Sequence, residues 1–394
     1  MKNNRTFLEK LLDGSEVEWK PLDEVANIVN NARKPVKSSS RVSGNIPYYG
    51  ANNIQDYVEG YTHEGEFVLI AEDGSASLEN YSIQWAVGKF WANNHVHVVN
   101  GKEKLNNRFL YHYLTNMNFI PFLAGKERAK LTKAKLQQIP IPIPPLSVQT
   151  EIVKILDALT ALTSELTSEL TSELILRQKQ YEYYREKLLS EEELGKVGFE
   201  WKTIDEISKK ISSGGTPTTS NNGYYDNGTI PWLRTQEVDF KEIWDTNIKI
   251  TEDALNNSSA KWIPANCVIV AMYGATVGKT AINKIPLTTN QACANIEIND
   301  KLACYRYIFH YLTSKYEYIK SLGSGSQTNI NAQIIKKLKV PVPPIEEQYR
   351  IVSILDKFET LTNSITEGLP LAIEQSQKRY EYYRELLLNF PSRE

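Results

Sequence analysis

Short runs of β-branched and aromatic residues alternate with short amphipathic segments along two long stretches of the chain. Runs such as EFVLIA at 66–71 and NCVIVA at 266–271 predict β-strands, and FLYHYLTN at 109–116 and YIFHYLTS at 307–314 predict short helices. After the proline pairs at 144–145 and 343–344, apolar residues recur at helical spacing. The apolar positions are Ile152, Leu156, Leu159, Leu162 and Leu166 in the first seam, and Ile351, Leu355, Phe358, Leu361 and Ile365 in the second. The pattern predicts two mixed α and β domains, each followed by a long helix.

The chain contains two copies of one plan. PIPIPPLSVQTEIVKILD at 140–157 returns as KVPVPPIEEQYRIVSILD at 339–356, and QYEYYREKLL at 180–189 returns as RYEYYRELLL at 379–388. Both pairs are offset by 199 positions, far beyond the periods of solenoids and propellers, so a whole domain with its helix is duplicated. The N-terminal FLEKLL resembles the end of the first helix, which is the layout of a circularly permuted pair.

These patterns predict an α+β fold with a pseudo-twofold internal repeat. We expect two similar mixed α/β domains, joined and separated by two long helices packed as an antiparallel coiled coil. The predicted boundaries are 1–145 for the first domain, 146–190 for a central spacer helix, 191–344 for the second domain and 345–394 for a C-terminal helix. Gly368 and Pro370 predict a break in that last helix near 368–370.

The central helix contains three tandem Thr-Ser-Glu-Leu units, ending at Leu166, Leu170 and Leu174. Each unit adds about 6 Å and a net turn of about 40 degrees to a helix, close to the roughly 35 degrees between DNA base pairs. Gain or loss of a unit could therefore change the register of two domains on DNA. A solvated acidic face in a repeat prone to slippage is the alternative interpretation.

Composition narrows the class of protein. The 394 residues include 45 basic and 47 acidic side chains, so affinity for nucleic acid would have to come from local patches. Three cysteines without Cys-x-x-Cys spacing indicate neither a disulfide framework nor a zinc knuckle. The longest apolar runs are too short to span a bilayer and the N-terminus has no signal-peptide pattern, so we expect a cytoplasmic protein.

The twin proline-rich segments, the twin YEYYRE segments and the tetrapeptide repeat resemble the specificity (S) subunit of type I restriction-modification enzymes, in particular the type IC-like subgroup with tetrapeptide repeats. The resemblance implies a non-catalytic targeting subunit whose two target-recognition domains each bind one part of a bipartite, asymmetric site in double-stranded DNA. It also implies that the helices dock two modification (methyltransferase) subunits for adenine methylation, and that restriction (translocase/endonuclease) subunits join them. No cofactor is expected in this chain; S-adenosylmethionine, ATP and Mg are expected on the partner subunits. The alternative is a coiled-coil protein scaffold without sequence-specific DNA binding.

Candidate contact residues were sought upstream of the repeated proline motif and in the matched segments IPYYGANNI and IPWLRTQEV. Cations suit phosphates, whereas Arg, Gln and Asn suit base edges. The DNA-binding candidates are Tyr48, Asn52, Lys126, Arg128, Lys130, Lys133, Trp232, Arg234, Gln236, Gln327, Thr328 and Asn329. The partner-binding candidates are Tyr181, Tyr184, Arg185, Tyr380, Tyr383 and Arg384. The aromatic candidates equally suit core or helix packing.

Several other motifs do not predict chemistry. GATVGKT at 274–280 has three residues between its glycines where a phosphate-binding loop needs four. His95 and His97 alternate on a predicted strand, but the sequence shows no acidic or cysteine ligand nearby, and the other copy has Gln291 and Cys293 there. His112 and His310 occupy one position of a repeated apolar helix, where packing is the expected role. We therefore predict no metal site and no catalytic residue in this chain.

Overall fold

The computed structural model describes residues 6–125, 129–323, 329–364 and 367–391. The chain forms two compact units: unit 1 is residues 1–170 with 373–394, and unit 2 is residues 171–372. Each unit thus combines one domain with parts of the long helices. Within the described ranges, every helix is too short or too polar to cross a membrane.

Unit 1 is built on a six-stranded sheet of order β2-β7-β5-β6-β3-β4, with β1 and β8 forming a separate antiparallel pair. All its strand pairs are antiparallel except β3 with β6. The elements are α1 (Phe7–Leu12), β1 (Glu18–Pro21), α2 (Leu22–Val25), β2 (Ala26–Ile28), β3 (Ser43–Tyr49), β4 (Ile54–Val58), β5 (His63–Ala71), β6 (Ile83–Ala92), β7 (Val96–Gly101), α3 (Asn107–Thr115), α4 (Lys133–Gln137), β8 (Pro140–Ile143) and α5 (Leu146–Leu188).

The core of unit 1 lies between the sheet and α3. Residues 68–71, at the end of β5, are fully buried, as expected for a central strand covered on both faces. Phe109, Leu110 and Leu114 of α3 pack in the same cluster as Val68 and Ile70. The helix starts where the Asn106 side chain accepts hydrogen bonds from the backbone N–H groups of the first turn.

The start of α5 and the end of the last helix of the chain, α12 (Leu369–Leu388), complete this core. Ile152 and Leu156 of α5 are buried in one cluster with Leu387 and Leu388. Farther along α5, the Thr160 hydroxyl lies 3.1 Å from the Tyr380 hydroxyl. Because later residues of one helix meet earlier residues of the other, the two segments run antiparallel.

Unit 2 repeats the plan with a more divided sheet. Its sheets have the orders β10-β18-β15-β16-β12 and β13-β11-β17-β14, beside the antiparallel pair β9-β19. The elements are α6 (Glu191–Gly195), β9 (Glu200–Thr203), β10 (Ser208–Ser213), β11 (Ile230–Leu233), β12 (Lys241–Ile243), β13 (Lys249–Ile250), α7 (Glu252–Asn256), β14 (Trp262–Ile263), β15 (Val268–Ala271), β16 (Thr280–Asn283), β17 (Leu287–Thr289), β18 (Cys293–Ile298), α8 (Tyr305–Ser314), α9 (Tyr316–Ser321), α10 (Ala332–Lys337), β19 (Lys339–Val342) and α11 (Ile345–Asn363).

The segments α11 and α12 are separate helices, and Gly368 directly precedes the second one. The first of these helices ends at Asn363 and the second begins at Leu369, so Pro370 lies inside the first turn of α12. A proline costs no helical hydrogen bond there, because the first N–H groups of a helix have no partner within it. Gly368 has a φ of +95° and packs so closely that an added Cβ would lie 2.6 Å from the carbonyl oxygen of Thr360. The glycine therefore forms the turn, and the proline starts the next helix.

Candidate nucleic-acid interface

In unit 1, four backbone segments meet at one end of the sheet: the loop after β3, the loop after β5, the turn before β7 and the residues before α4. Three backbone hydrogen bonds join them: Asn93 N–H to Tyr49 O at 3.3 Å, Glu72 N–H to His95 O at 2.8 Å, and Leu131 N–H to Glu72 O at 2.8 Å. We call this arrangement, residues 50–53, 72–76, 93–95 and 129–131, the loop frame of unit 1. Its side chains project from one rigid backbone support.

Unit 2 builds the same loop frame from residues 234–237, 272–276, 290–292 and 329–330. The matching bonds run from Asn290 N–H to Leu233 O at 2.9 Å, from Met272 N–H to Ala292 O at 2.8 Å, and from Ile330 N–H to Met272 O at 3.0 Å. By these equivalences, Lys130 of unit 1 corresponds to Asn329 of unit 2, and Asn52 corresponds to Gln236. They also correct the match made from sequence by one residue, because His95 corresponds to Ala292, not to Gln291.

The loop frame of unit 1 is charged. The Glu72 carboxylate accepts from Arg33 Nη1 at 2.7 Å and pairs with Lys130 Nζ at 2.9 Å. Burial would raise the pKa of Glu72, but its two cationic partners outweigh burial and lower the pKa below the ordinary value. The same pair raises the pKa of Lys130. Lys130 is therefore a fixed cation, with 45% of its side chain still exposed.

The two histidines near this frame differ in their surroundings. His97 is fully buried, with Nδ1 2.9 Å from the Asn30 amide nitrogen and Nε2 2.7 Å from the Leu131 carbonyl oxygen. Burial lowers the pKa of His97, so this ring is neutral. It supports the backbone at Leu131, next to Lys130. His95 is half-exposed and lies 2.5 Å from the Asp73 carboxylate. Acidic neighbours thus exist for both rings, contrary to the sequence analysis, but the ring nitrogens of His97 are already occupied.

The loop frame of unit 2 has fewer charged side chains and the same number of amide side chains. Gln236 is exposed, and Tyr273 is 39% exposed. Arg234 is half-buried, and among the described residues neither its Nε nor Asn329 Oδ1 has a hydrogen-bond partner. Unpaired buried polar atoms are uncommon in proteins, and a water, an ion or a bound molecule can supply the missing bond. The amide and guanidinium groups here suit the edges of bases.

Two predicted DNA contacts are packing residues. Tyr48 is 1% exposed, and its hydroxyl accepts from Val36 N–H at 3.0 Å while the Arg41 guanidinium lies over its ring. Trp232 is 4% exposed, and its indole N–H donates to Gly215 O at 3.0 Å. Tyr48 is the one buried position of β3, and Trp232 lies on β11, where three of four positions are buried, so a period-two pattern did not reveal their burial. We assign these two side chains to the core.

The remaining DNA-binding candidates differ in whether their side chains are hydrogen-bonded within the unit or exposed. Asn52 is bound to its own frame, since its side chain donates to Gly74 O and accepts from Ala76 N–H. Lys133 is exposed at the start of α4. Lys126, Arg128, Gln327 and Thr328 lie outside the described residues. The GATVGKT segment forms the turn between β15 and β16, and its lysine pairs with Asp239 at 2.6 Å; a strand, not a helix, follows it.

A second duplicated arrangement fixes each domain to its helix. Gln149 is fully buried at the start of α5; its side chain accepts from Asn106 N–H and donates to Lys104 O and Pro144 O. Gln348 repeats this on α11 by accepting from Cys304 N–H and donating to Pro343 O. Each glutamine therefore ties the helix start to the end of the domain.

About two turns of helix farther along lies a repeated ionic cluster. In unit 1, Asp157 accepts from Arg108 Nε at 2.9 Å and lies 2.8 Å from His112 Nε2. In unit 2, Asp356 makes the same contacts with Arg306 and His310 at 2.9 and 2.8 Å. Burial opposes the charged form of both aspartates, but these partners outweigh it and lower both pKa values. We call each cluster the joint of its unit.

The joint of unit 2 contains two further carboxylates. Arg306 also pairs with Glu359 at 3.0 Å and contacts Glu242. Burial raises the pKa of Glu359. Ligand atoms of His310, Asp356 and Glu359 lie close enough together to hold a metal ion, but the Arg306 guanidinium already supplies the cation among these groups. The two histidines assigned to packing are therefore hydrogen-bonded parts of the joints.

The partner-binding candidates divide into packed and exposed groups. Burial raises the pKa of Tyr181 to about 12, and its ring lies under Arg185 at 5.2 Å. Tyr380 is half-buried beneath Arg384, whose Nε donates to Asn116. Tyr184 stacks on Phe358 at 5.5 Å but stays 39% exposed, and Tyr383 is 44% exposed. The most exposed members of the two motifs are Tyr183 and Tyr382, both at 57%.

Sequence reasoning missed the Arg33–Glu72 pair and both joints. The joints had a visible signal, because His112 and His310, like Asp157 and Asp356, recur at matched places in the repeat. The Arg33–Glu72 pair had none, since its members lie far apart in the chain and the second unit lacks them.

Comparison with known proteins agrees with this duplicated architecture. Residues 14–175 and 196–375 each match the family described as the type I restriction modification DNA specificity domain. A relative from Haemophilus influenzae, named as a type I restriction enzyme specificity subunit, is 66% identical over 99% of this chain and 100% of its own length. The type I restriction enzyme EcoR124I/EcoR124II specificity subunit of Escherichia coli is 37% identical, over 99% of this chain and 98% of the relative.

Solved structures show the same fold at low identity. A chain from a structure of type I R-M complex assembly has a TM-score of 0.62 at 16% identity and covers 95% of this chain and 98% of its own. The HsdS subunit from Thermoanaerobacter tengcongensis has a TM-score of 0.56 at 16% identity, covering 95% of this chain and 96% of its own.

Proposed function

Because the chain belongs to the type I restriction modification DNA specificity family, we propose that each unit reads one part of a bipartite DNA site through its own loop frame. The chain is then the DNA sequence-specificity subunit of a type I restriction-modification complex, and catalysis belongs to its partners. A protein-only scaffold is the hypothesis that this proposal replaces.

The observation that carries the proposal is the pair of loop frames. The same three backbone hydrogen bonds support them in both units, while the side chains on them differ in charge and shape. A backbone that is repeated with different side chains is what two readers of different sequences require. A scaffold that binds two copies of one partner would instead require matching surfaces.

In unit 1, we assign Lys130 and Lys133 to phosphate contacts that set the position of the unit on DNA. Glu72 and the neutral His97 hold Lys130 in place from behind. Asn52 supports the neighbouring loop through its two backbone bonds. Lys126 and Arg128 belong to the same proposed surface by their place in the sequence.

In unit 2, we assign Arg234, Gln236 and Asn329 to base edges. The unpaired Arg234 Nε and Asn329 Oδ1 are the atoms that DNA would satisfy. Arginine suits the acceptor pair of guanine, and amides suit the donor and acceptor of adenine. Gln327 and Thr328 precede Asn329 directly and extend this proposed surface.

The exposed tyrosines give the modification subunits a place to bind. Tyr183 with Tyr184, and Tyr382 with Tyr383, form two matched edge-to-face ring pairs. Large exposed aromatic rings are typical anchors of protein interfaces. Two matched pairs fit two identical modification subunits, which would contribute S-adenosylmethionine, while restriction subunits would contribute ATP and Mg chemistry.

Methylation mapping tests the proposal. The chain is expressed with its modification subunit in a host that lacks other adenine methylases, and modified bases are mapped by long-read sequencing. We expect one split sequence motif with a fixed gap. Absence of sequence-restricted methylation by a stably assembled complex would favour the scaffold.

The tetrapeptide repeat adds a second comparison to the same assay. A variant lacking Thr171–Leu174 removes one unit from α5. We expect the gap to change while both halves of the motif stay the same. An unchanged gap would refute a ruler role for the repeat without affecting the two-reader proposal.

A further inference from the structure

Unit 2 contains an open groove of about 870 Å³ between α8, α9, α10 and the first residues of β9 and β19. Its floor is apolar, with Leu312, Ile319 and Leu338 buried and Leu322 and Ile334 partly buried. Two aromatic side chains stand at its sides: Trp201 is 45% exposed and Tyr318 is 57% exposed. The loop frame does not contribute to its lining.

Unit 1 contains the matching groove, of about 530 Å³, with Trp19 and Tyr113 at the places of Trp201 and Tyr311. The tryptophans differ in their contacts. The Trp19 indole N–H donates to Pro391 O at 3.0 Å, and the ring meets Tyr113 edge to face. The Trp201 indole N–H has no hydrogen-bond partner among the described residues. In unit 1 a backbone carbonyl of the chain itself therefore occupies a position that is open in unit 2.

The two grooves also differ in charge. Met117, Gln138 and Pro140 line the groove of unit 1, and the matched positions in unit 2 are Lys315, Lys337 and Lys339. All three lysines are exposed. Within the described part of the chain, none of them lies at ion-pair distance from a carboxylate, and no Asp or Glu lines the groove. The groove of unit 2 thus combines an apolar floor with three unpaired cations.

We propose that this groove binds an acidic segment of a partner protein, one per chain, with apolar side chains on the floor and carboxylates toward Lys315, Lys337 and Lys339. The open indole N–H of Trp201 donates to a backbone carbonyl of that segment, as the Trp19 indole N–H donates to the Pro391 carbonyl in unit 1. The partner distinguishes the two units, because the first groove lacks all three cations. This interaction is independent of the DNA reading proposed above.

A protein segment fits better than a nucleic acid. Five aliphatic side chains form the floor, and burying apolar surface requires an apolar ligand. A phosphate backbone would use the lysines but leave this floor against water. Acidic amphipathic peptides satisfy both features, because charges at the rim select the partner while apolar anchors supply the affinity.

The probes are three fluorescein-labelled synthetic peptides with leucines at fixed helical spacing and with Glu, Gln or Lys at the remaining positions. Fluorescence anisotropy is measured with the full chain. We expect the Glu peptide to bind with a stoichiometry of one, and the Lys peptide not to bind. The variant Lys337→Glu with Lys339→Glu should weaken the Glu peptide by about tenfold or more through charge reversal. The matched control Gln138→Glu in unit 1 should bind as the unchanged chain does.

Other outcomes overturn the proposal. These are absence of Glu-peptide binding, equal binding of the Glu and Lys peptides, or unchanged binding by the double variant. A labelled single-stranded oligonucleotide is tested in parallel. The groove is a nucleic-acid site if the unchanged chain binds the oligonucleotide but not the Glu peptide, and the double variant no longer binds the oligonucleotide. Both substitutions are at exposed positions, and thermal unfolding verifies that the variant is folded. Trp201→Phe keeps an aromatic ring but removes the indole N–H and one ring of the side chain, and it should weaken binding of the Glu peptide without charge reversal.

Discussion

The two units share a backbone plan but differ at the surfaces where they would meet other molecules. Their loop frames have the same three hydrogen bonds, and their joints have the same Arg-His-Asp contacts. The positions on the frame change from Lys130 in one unit to Asn329 in the other. In the groove, Met117, Gln138 and Pro140 of unit 1 are replaced by three lysines in unit 2. Duplication thus preserved the supports and diversified the contact surfaces.

The joints show that even a shared support can differ in strength. Arg108 pairs with the half-exposed Asp157 alone, whereas Arg306 is held by Asp356, Glu359 and Glu242. The side chains of Arg306 and Glu359 are 15% and 18% exposed, against 40% for Asp157. Removal of the cation should therefore have unequal effects in the two units.

The largest difference is expected from Arg306→Met and Arg108→Met. Arg306→Met removes the cation shared by three carboxylates, of which Glu242 keeps Lys284 at 3.7 Å. Breaking such a buried network typically costs about 3–5 kcal/mol of unfolding free energy. Arg108→Met removes a more exposed pair and should cost about 1 kcal/mol or less. Urea unfolding of both variants measures the two losses. Equal losses would show that the additional carboxylates of unit 2 do not strengthen its joint.

A smaller difference is expected at the matched frame positions. Asn329→Ala should relax the base preference at one position of one half-site, with a loss of about 1–3 kcal/mol of discrimination. Lys130→Ala should weaken binding to all DNA sequences alike. It should also reduce by about 1 the slope of the logarithm of the binding constant against the logarithm of the salt concentration. Binding to randomised DNA at several salt concentrations separates these behaviours. The role assignment is reversed if Lys130→Ala changes sequence preference and Asn329→Ala changes only the salt slope.

The smallest difference concerns pH. Although burial acts against it, hydrogen bonds from Arg108 and His112 lower the pKa of Asp157. A carboxylate with a lowered folded-state pKa stabilises the fold above its unfolded pKa, about 3.9, and loses this contribution as pH falls through the folded value. Asp157→Asn should therefore reduce the loss of unfolding free energy that occurs at acidic pH.

In unit 2, Glu359 acts in the opposite sense. Burial raises its pKa, so its contribution is present at low pH and is lost as pH rises through the folded value. Glu359→Gln should therefore reduce the loss of unfolding free energy that occurs as pH rises through the folded pKa of Glu359. Asp157→Asn should have no effect in that pH range. Urea unfolding at a series of pH values measures both profiles, and parallel profiles for the two variants would contradict these assignments.

Much of this architecture was predictable because the repeat is long and its two best-matching segments share one offset. The strands around 66–71 and 266–271 and the helix starts after the proline pairs were evident from apolar spacing. Burial of Tyr48 and Trp232 was not, because neither β3 nor β11 alternates strictly between buried and exposed positions. The match of His95 was displaced by one residue because loop lengths differ between the copies, and only paired strands fix that register.

The contacts of the joints required three-dimensional information for another reason. His112 and Asp157 are separated by a loop, a short helix and a strand, and no local pattern brings them together. Their recurrence in both copies indicated a shared role, but apolar neighbours on α3 and α8 favoured packing as the interpretation. The sequence located these residues and the fold supplied their partners.

A chimera tests most directly whether each unit reads its own half of the site. Glu18 pairs with Ile143 across β1 and β8, as Glu200 pairs with Val342 across β9 and β19, so these four residues are equivalent exchange points. Residues 18–143 are replaced by a second copy of residues 200–342, and methylation is mapped with the modification subunit. The account predicts an inverted repeat of the half read by unit 2. Methylation of the original asymmetric motif by the assembled chimera would contradict it.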